Sequence, residues 1–132
     1  MKSSLTLSIG EMAARFGLET HVLRHWEDVG LLRPARDSAD RRRYDEDDLV
    51  RIAVIVRSKA AGMSLEQIVV MLDAGSADRH RVLEEHIADL DRRMEEMRQS
   101  KEMAQHAFSC EQHDVTSCPG FRAHVEDLLT GF

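Results

Sequence analysis

Between His80 and Phe108 the residues Leu83, Ile87, Leu90, Met94, Met97, Lys101, Ala104 and Phe108 recur at alternating steps of four and three. All but Lys101 are apolar. This heptad spacing keeps one face of an α-helix apolar along its whole length, and that face has to lie against another helix. Glu84, Glu85, Asp89, Arg92, Arg93, Glu95, Glu96 and Arg98 fall outside the seam and read as a solvated face. In 132 residues no second helix of that length remains to cover it. The chain is therefore expected to pair with a copy of itself, as a homodimer, with packing inside one chain the weaker alternative.

Hydrophobic residues make up 42% and charged residues 32%, with only two prolines, which suits a mainly α-helical protein of one small domain with an appendage. The net charge of −6 argues against nucleic acid until it is mapped. Residues 1–62 carry 11 Lys+Arg against 10 Asp+Glu, so the acidity lies in the second half and the first half can present a positive face. No stretch reaches the roughly 18 apolar residues of a membrane span, and MKSSLTLSIG lacks a signal-peptide core. The expectation is a cytoplasmic protein with no membrane partner, in which the two cysteines are thiols rather than a structural bridge.

The positive face has a definite place. Thr20–Tyr44 reads as a short helix, a break at Gly30, the core residues Leu31 and Leu32, and a turn-rich segment with five arginines from Arg33 to Arg43. That segment is too polar for a core and suits a hairpin with Ser38-Ala39-Asp40 at its tip. A helix followed by a basic hairpin is what a winged helix-turn-helix requires, the helix entering the major groove and the hairpin lying on flanking phosphates. Before it, Ser8 and Glu11 form a capping box for a helix whose inner face is Ile9, Met12, Ala13 and Phe16. After it, Asp45 opens a third helix with Leu49, Ile52, Ala53, Val56 and Ala60 as its apolar stripe. Ser64 and Gln67 cap a fourth, and Asp73–Ser76 is the link to the long helix. The domains predicted are 1–75 for DNA binding, 76–109 for dimerisation, and 110–132 for an effector loop and tail.

Four blocks make the pattern specific: IGEMAARFG (Ile9–Gly17), LRHWEDVGLLRPAR (Leu23–Arg36), RRYDEDDL (Arg42–Leu49) and KAAGMSLEQI (Lys59–Ile68). In order and spacing they resemble the MerR family of transcription regulators. The resemblance implies a mainly α fold: a winged helix-turn-helix domain followed by a long antiparallel coiled-coil dimerisation helix. It also implies a homodimer on double-stranded promoter DNA that remodels the DNA so that RNA polymerase can engage. Carried onto this chain, the DNA-binding residues are His21, Arg24, His25, Arg33, Arg36, Arg41, Arg42, Arg43 and Tyr44. The seam residues Leu83, Ile87, Leu90, Met94, Met97, Ala104 and Phe108 join the dimer. This chain departs from the family at Glu19, where a small hydroxyl residue is usual. His25 and Trp26 stand where tyrosines are usual, and Trp26 reads as core. Asp40-Arg41 replaces Gly-Tyr in the wing, and Asp tolerates the left-handed turn needed there.

Cys110 and Cys118 bracket a polar loop, with Pro119 next and Phe121, Val125, Leu128 and Leu129 as a short amphipathic cover. The loop resembles that of copper(I)- and other coinage-metal-responsive members of the family. Two soft thiolates suit a linearly bound Cu(I)-like or other thiophilic ion. Three alternatives stay open. His113, with His106, Asp114 and His124 nearby, gives a mixed site for a divalent ion such as zinc. The thiols can also form a disulfide as a redox switch, or stand unliganded. An enzyme built on Cys110 or Cys118 with His113 lacks an oxyanion motif and a pocket, so no catalytic residue is assigned. A dimeric adaptor that does not bind DNA leaves the arginines unexplained.

Overall fold

The computed structural model describes residues 6–111 and 114–130. The chain divides into two compact units, residues 1–84 and 85–132. The first holds α1 (Ile9–Arg15), α2 (Thr20–Asp28), β1 (Ala35–Arg36), β2 (Arg42–Arg43), α3 (Glu46–Ala60) and α4 (Leu65–Leu72). A long helix, α5 (Arg79–Ser109), begins in the first unit and runs into the second. A 3-10 turn (Val115–Ser117) and α6 (Pro119–Leu129) follow it.

Local chemistry sets the helix starts. Glu11 N–H donates to Ser8 Oγ at 3.2 Å and Ser8 N–H donates to Glu11 Oε1 at 3.0 Å. The same reciprocal box forms between Asp45 and Asp48 and between Ser64 and Gln67. Each satisfies donors that the first turn of a helix leaves without partners. Glu19 occupies the N-cap position of α2, yet its exposed side chain makes no capping bond. Gly17, at φ +67°, turns the chain between α1 and α2, a conformation that favours glycine.

The core of this unit gathers Met12, Leu23, Trp26, Ile52, Ile55 and Ile68 from its four helices, with Leu31 and Leu32 after α2 and Tyr44 just beyond β2. Fully burying a side chain of Leu or Ile size contributes roughly 1.5–3 kcal/mol, so these contacts dominate the unit's stability. Trp26 is core, as read from the sequence. On α3 the inward line differs from the predicted stripe. Ile52 and Ile55 are fully buried with Leu49 and Val56 beside them, while Ala53 and Ala60 are exposed. The branched side chains at 52 and 55 bury more apolar area than the alanines, so they set the rotation of the helix. The start of α5 belongs to the same unit: Val82 enters the core, and Arg79 Nε donates to Met71 O at 2.8 Å.

The wing is an antiparallel pair with Ala35 opposite Arg43 and Arg36 opposite Arg42. Leu7 adds a bridge on the far side, exchanging two 2.8 Å backbone bonds with Tyr44. Arg43 Nη2 secures the same segment, donating to Thr6 O at 3.1 Å and Thr6 Oγ1 at 3.0 Å.

In the second unit α5 carries ion pairs along its length. Arg98 reaches Glu95 at 2.6 Å and also Glu102, and Arg92 reaches Glu96 at 3.0 Å and also Asp89. Exposed pairs of this spacing contribute little to stability, because solvent screens them. The seam is largely uncovered: Ile87 is 57% exposed, Met94 68%, Met97 70% and Phe108 94%. No helix among the described residues is long and apolar enough to cross a membrane.

Candidate functional site

The wing tip is built by one side chain. Asp37 Oδ1 accepts the N–H of Ala39 at 2.9 Å and of Arg41 at 3.0 Å. Asp40 N–H donates to Asp37 O at 3.0 Å, and Asp40 takes φ +60°. A turn closed by a left-handed residue is a common three-residue hairpin loop, and Asp40 fills the position a glycine would otherwise hold. The Arg41 N–H, ahead of smaller contributions from Ala39 and the Arg41 charge, holds the Asp37 carboxyl below its usual range.

Folding the hairpin over α2 brings the arginines together. Arg24 of α2 and Arg36, Arg41, Arg42 and Arg43 of the wing line one depression of about 340 Å³ with Ser8, Ile9 and Asp40. Arg24 is exposed and makes a 3.4 Å bond to Thr20 Oγ1, one turn back. His21 and His25 are exposed on the same helix. Arg41 points outward, paired with Asp37 at 3.4 Å. Arg42 Nε donates to Glu27 Oε1 at 2.9 Å, and Arg36 Nη2 reaches Glu27 Oε2 at 3.3 Å. Glu27 thus ties both strands of the wing to α2.

Two of the predicted DNA-binding residues sit elsewhere. Arg33 is exposed but lines a different depression, of about 580 Å³, with Asp48, Arg51 and Asp73 among its neighbours. Tyr44 requires a correction: its side chain is fully buried in the core, so it has no surface to offer a duplex. The cause is its place in the strand. Arg43 and Tyr44 project to opposite sides of an extended segment, and with Arg43 turned to Thr6 the aromatic ring goes inward. Burial is also the main influence raising the Tyr44 phenol above its ordinary value.

The second cluster lies where α5 ends and α6 begins. His106 Nε2 stands 3.2 Å from Cys118 Sγ. The donor atoms of His106, Cys110 and Cys118 all fall within 4.8 Å of one another. Both cysteines are free thiols, Cys118 nearly buried. Cys118 is the N-cap of α6, without a capping hydrogen bond of its own from the sulfur. Even so, the first-turn N–H groups, Phe121 foremost, and then the His106 ring lower its thiol to about 7. Such a thiol is readily deprotonated, as a metal ligand must be. Bonds of about 2.0 Å to nitrogen and 2.3 Å to sulfur set donors roughly 3.5–4 Å apart around one ion. The three donors therefore fit a thiophilic ion with small adjustments. Of the other residues expected nearby, Asp114 caps the 3-10 turn and His124 packs on His106 with ring centroids 5.5 Å apart. His113 lies outside the described residues.

Comparison with known proteins identifies the family. The family described as MerR HTH family regulatory protein matches residues 7–75, just over half of the chain, and the MerR DNA-binding family matches residues 49–107. The chain belongs to the MerR family. It is 32% identical to an uncharacterised HTH-type transcriptional regulator of Pseudomonas aeruginosa, over 95% of this chain and 98% of that one. A probable heavy metal-dependent transcriptional regulator of Haemophilus influenzae is also 32% identical, over 85% of this chain and 94% of its own length. Among solved structures, the MerR family regulator HiNmlR bound to promoter DNA superposes with a TM-score of 0.67. That match covers 80% of this chain and 89% of HiNmlR and, at 21% identity, speaks for the fold alone. The regulator PbrR691 of Ralstonia metallidurans, in complex with lead(II), superposes with a TM-score of 0.52 at 29% identity, covering 82% and 90%. MerR proteins are DNA-binding transcription regulators and not enzymes, and so is this chain.

Two residues at these clusters are not singled out by the sequence. Glu27 is an acid on α2 to which no sequence motif points, and nothing local announces a partner 15 residues away. His106 enters the sequence reading only as a neighbour of His113. Its spacing of four from Cys110 was the available signal, since that interval places both on one face of a helix end.

Proposed function

We propose that the protein is a homodimeric, sequence-specific regulator that binds double-stranded promoter DNA through the arginine wing and α2, and senses a thiophilic metal ion at Cys110 and Cys118. The observation that carries the DNA part is the convergence of Arg24, Arg36, Arg41, Arg42 and Arg43 on one depression beside α2. Their charges attract phosphates, while the exposed side chains of α2 supply base contacts. The uncovered seam of α5 supports an antiparallel coiled coil with a second copy, which sets two such heads on one duplex. The domains proposed remain 1–75 for DNA, 76–109 for pairing and 110–132 for the effector.

The heavy-metal relatives and the lead(II)-bound PbrR691 support a metal effector, and a Cu(I)-like ion is what two thiolates alone specify. Effector binding at the loop biases the dimer towards a form that bends the promoter and lets RNA polymerase engage. A second reading rests on the closeness of the two free thiols. Under peroxide they lose two electrons and two protons to form one S–S bond, the peroxide leaving as two waters. Mass and metal analysis of protein purified anaerobically and in air separates the two. Bound metal in the anaerobic sample supports the first reading, and a loss of two mass units in air without bound metal supports the second. A gel-shift assay on duplexes selected from a random pool tests the DNA part, which fails if no sequence is enriched.

A further inference from the structure

We propose that His106 is the third donor of the effector site, making it a two-sulfur, one-nitrogen site that takes a borderline divalent ion of the zinc or cadmium class in preference to a linear monovalent one. This rests on the thiol reading above and names the ion class that the site selects.

The position of the ring is built. Nε2 faces Cys118 Sγ at 3.2 Å, and Cys110 Sγ lies within 4.8 Å of both donors. Phe121 flanks the imidazole with ring centroids 6.1 Å apart, and His124 does so at 5.5 Å. The fourth wall is an absence. A methyl group at Gly120 would stand 2.7 Å from His106 Cε1 and 3.3 Å from Nε2, so only glycine lets the ring lie where it does. Gly120 has no positive φ to explain it; the space its missing side chain leaves is filled by this imidazole.

The chemistry follows from the donors. Two thiolates at opposite sides of a monovalent ion satisfy it linearly and leave an imidazole with nothing to do. Zinc-class ions accept mixed sulfur and nitrogen ligands in three- and four-coordinate arrangements. An imidazole held within bonding reach of both sulfurs shifts the preference to them. Because His106 sits on the last turns of α5 and Cys118 opens α6, such an ion cross-links the end of the long helix to the segment that follows it.

The test uses the reduced full-length protein, titrated anaerobically with Cd(II) and read by sulfur-to-metal charge-transfer absorbance, with Zn(II) affinity by chelator competition. His106→Gln should weaken Cd(II) and Zn(II) by at least the roughly tenfold that loss of even an outer-shell partner costs, and leave Cu(I) affinity within about threefold. Gly120→Ala should do the same with all three donors still present, while helix content and dimer mass stay those of the parent. Unchanged Cd(II) affinity in His106→Gln, with binding abolished in Cys110→Ser and Cys118→Ser, overturns the role of His106 and leaves the thiol reading standing. Absence of Cd(II), Zn(II) and Cu(I) binding by the parent protein overturns both.

Discussion

Glu27 and Arg42 join α2 to the wing: Oε1 of the carboxylate accepts from Nε at 2.9 Å, each side chain about a quarter exposed. The same carboxylate holds Arg36 with its other oxygen, so one acid sets both strands of the hairpin. Glu27→Ala has two opposed effects on DNA. It removes a negative charge from the surface proposed to meet phosphates, an effect that salt screens over about 8–10 Å. It also frees two arginines from a defined position, and a partly exposed pair of this kind contributes on the order of 1 kcal/mol. The positional loss should win. Affinity for a selected duplex should fall about fivefold at physiological salt; tighter binding would mean that Glu27 is merely repulsive.

Arg24 and Arg41 differ from Arg42 in being exposed. Arg24→Ala and Arg41→Ala should each weaken binding and reduce the slope of log affinity against log salt by about one, as loss of one phosphate contact does. Arg42→Ala should also weaken binding, through the lost tie to Glu27 as well as the lost charge. Titration at several salt concentrations measures this, and unchanged affinity in all three variants would remove the wing from the interface.

Tyr44 offers a test of core against surface. Its hydroxyl is buried without a hydrogen-bond partner among the described residues. Leaving a buried hydroxyl unsatisfied costs about 1–3 kcal/mol. Tyr44→Phe should therefore keep DNA affinity and raise the thermal midpoint, or leave it unchanged. A fall in affinity at constant stability would return Tyr44 to the DNA surface.

Met94 is 68% exposed in the single chain, so a glutamate there costs an isolated chain little. Across a dimer seam the same charge would be buried without a partner, at a cost of several kcal/mol. Sedimentation should show Met94→Glu as a monomer at concentrations where the parent is a dimer, with helix content of the first unit retained. A dimeric Met94→Glu would place the seam elsewhere.

At the proposed effector site, Cys110→Ser and Cys118→Ser should keep DNA binding and lose the transcriptional response to metal, both to the same extent. In vitro transcription with each variant reads this directly. A normal response from either one would show that the two sulfurs do not act as a unit.

What could be read in the sequence was whatever a few neighbouring residues decide. Ser8 with Glu11 and Ser64 with Gln67 announce helix starts because both halves of each capping bond lie within one turn. Asp40 was legible for the same reason, since a left-handed residue is demanded by the tip of the hairpin itself. The heptad seam was legible because a period needs only its own helix. Tyr44 was misplaced because its side depends on which way Arg43 turns, and that is settled by Thr6, 37 residues earlier. The tie from Glu27 to Arg42 and the approach of His106 to Cys118 are tertiary in the same sense. They arise when one element folds over another, and no local pattern fixes the distance.

The bonds that Thr6 and Leu7 make to Arg43 and Tyr44 place these two residues beside the returning strand of the wing. A fluorophore coupled at position 6 would ride on that strand. Its emission would report the wing settling on a duplex in real time, from a dye attached outside both the arginines proposed to meet DNA and the thiols.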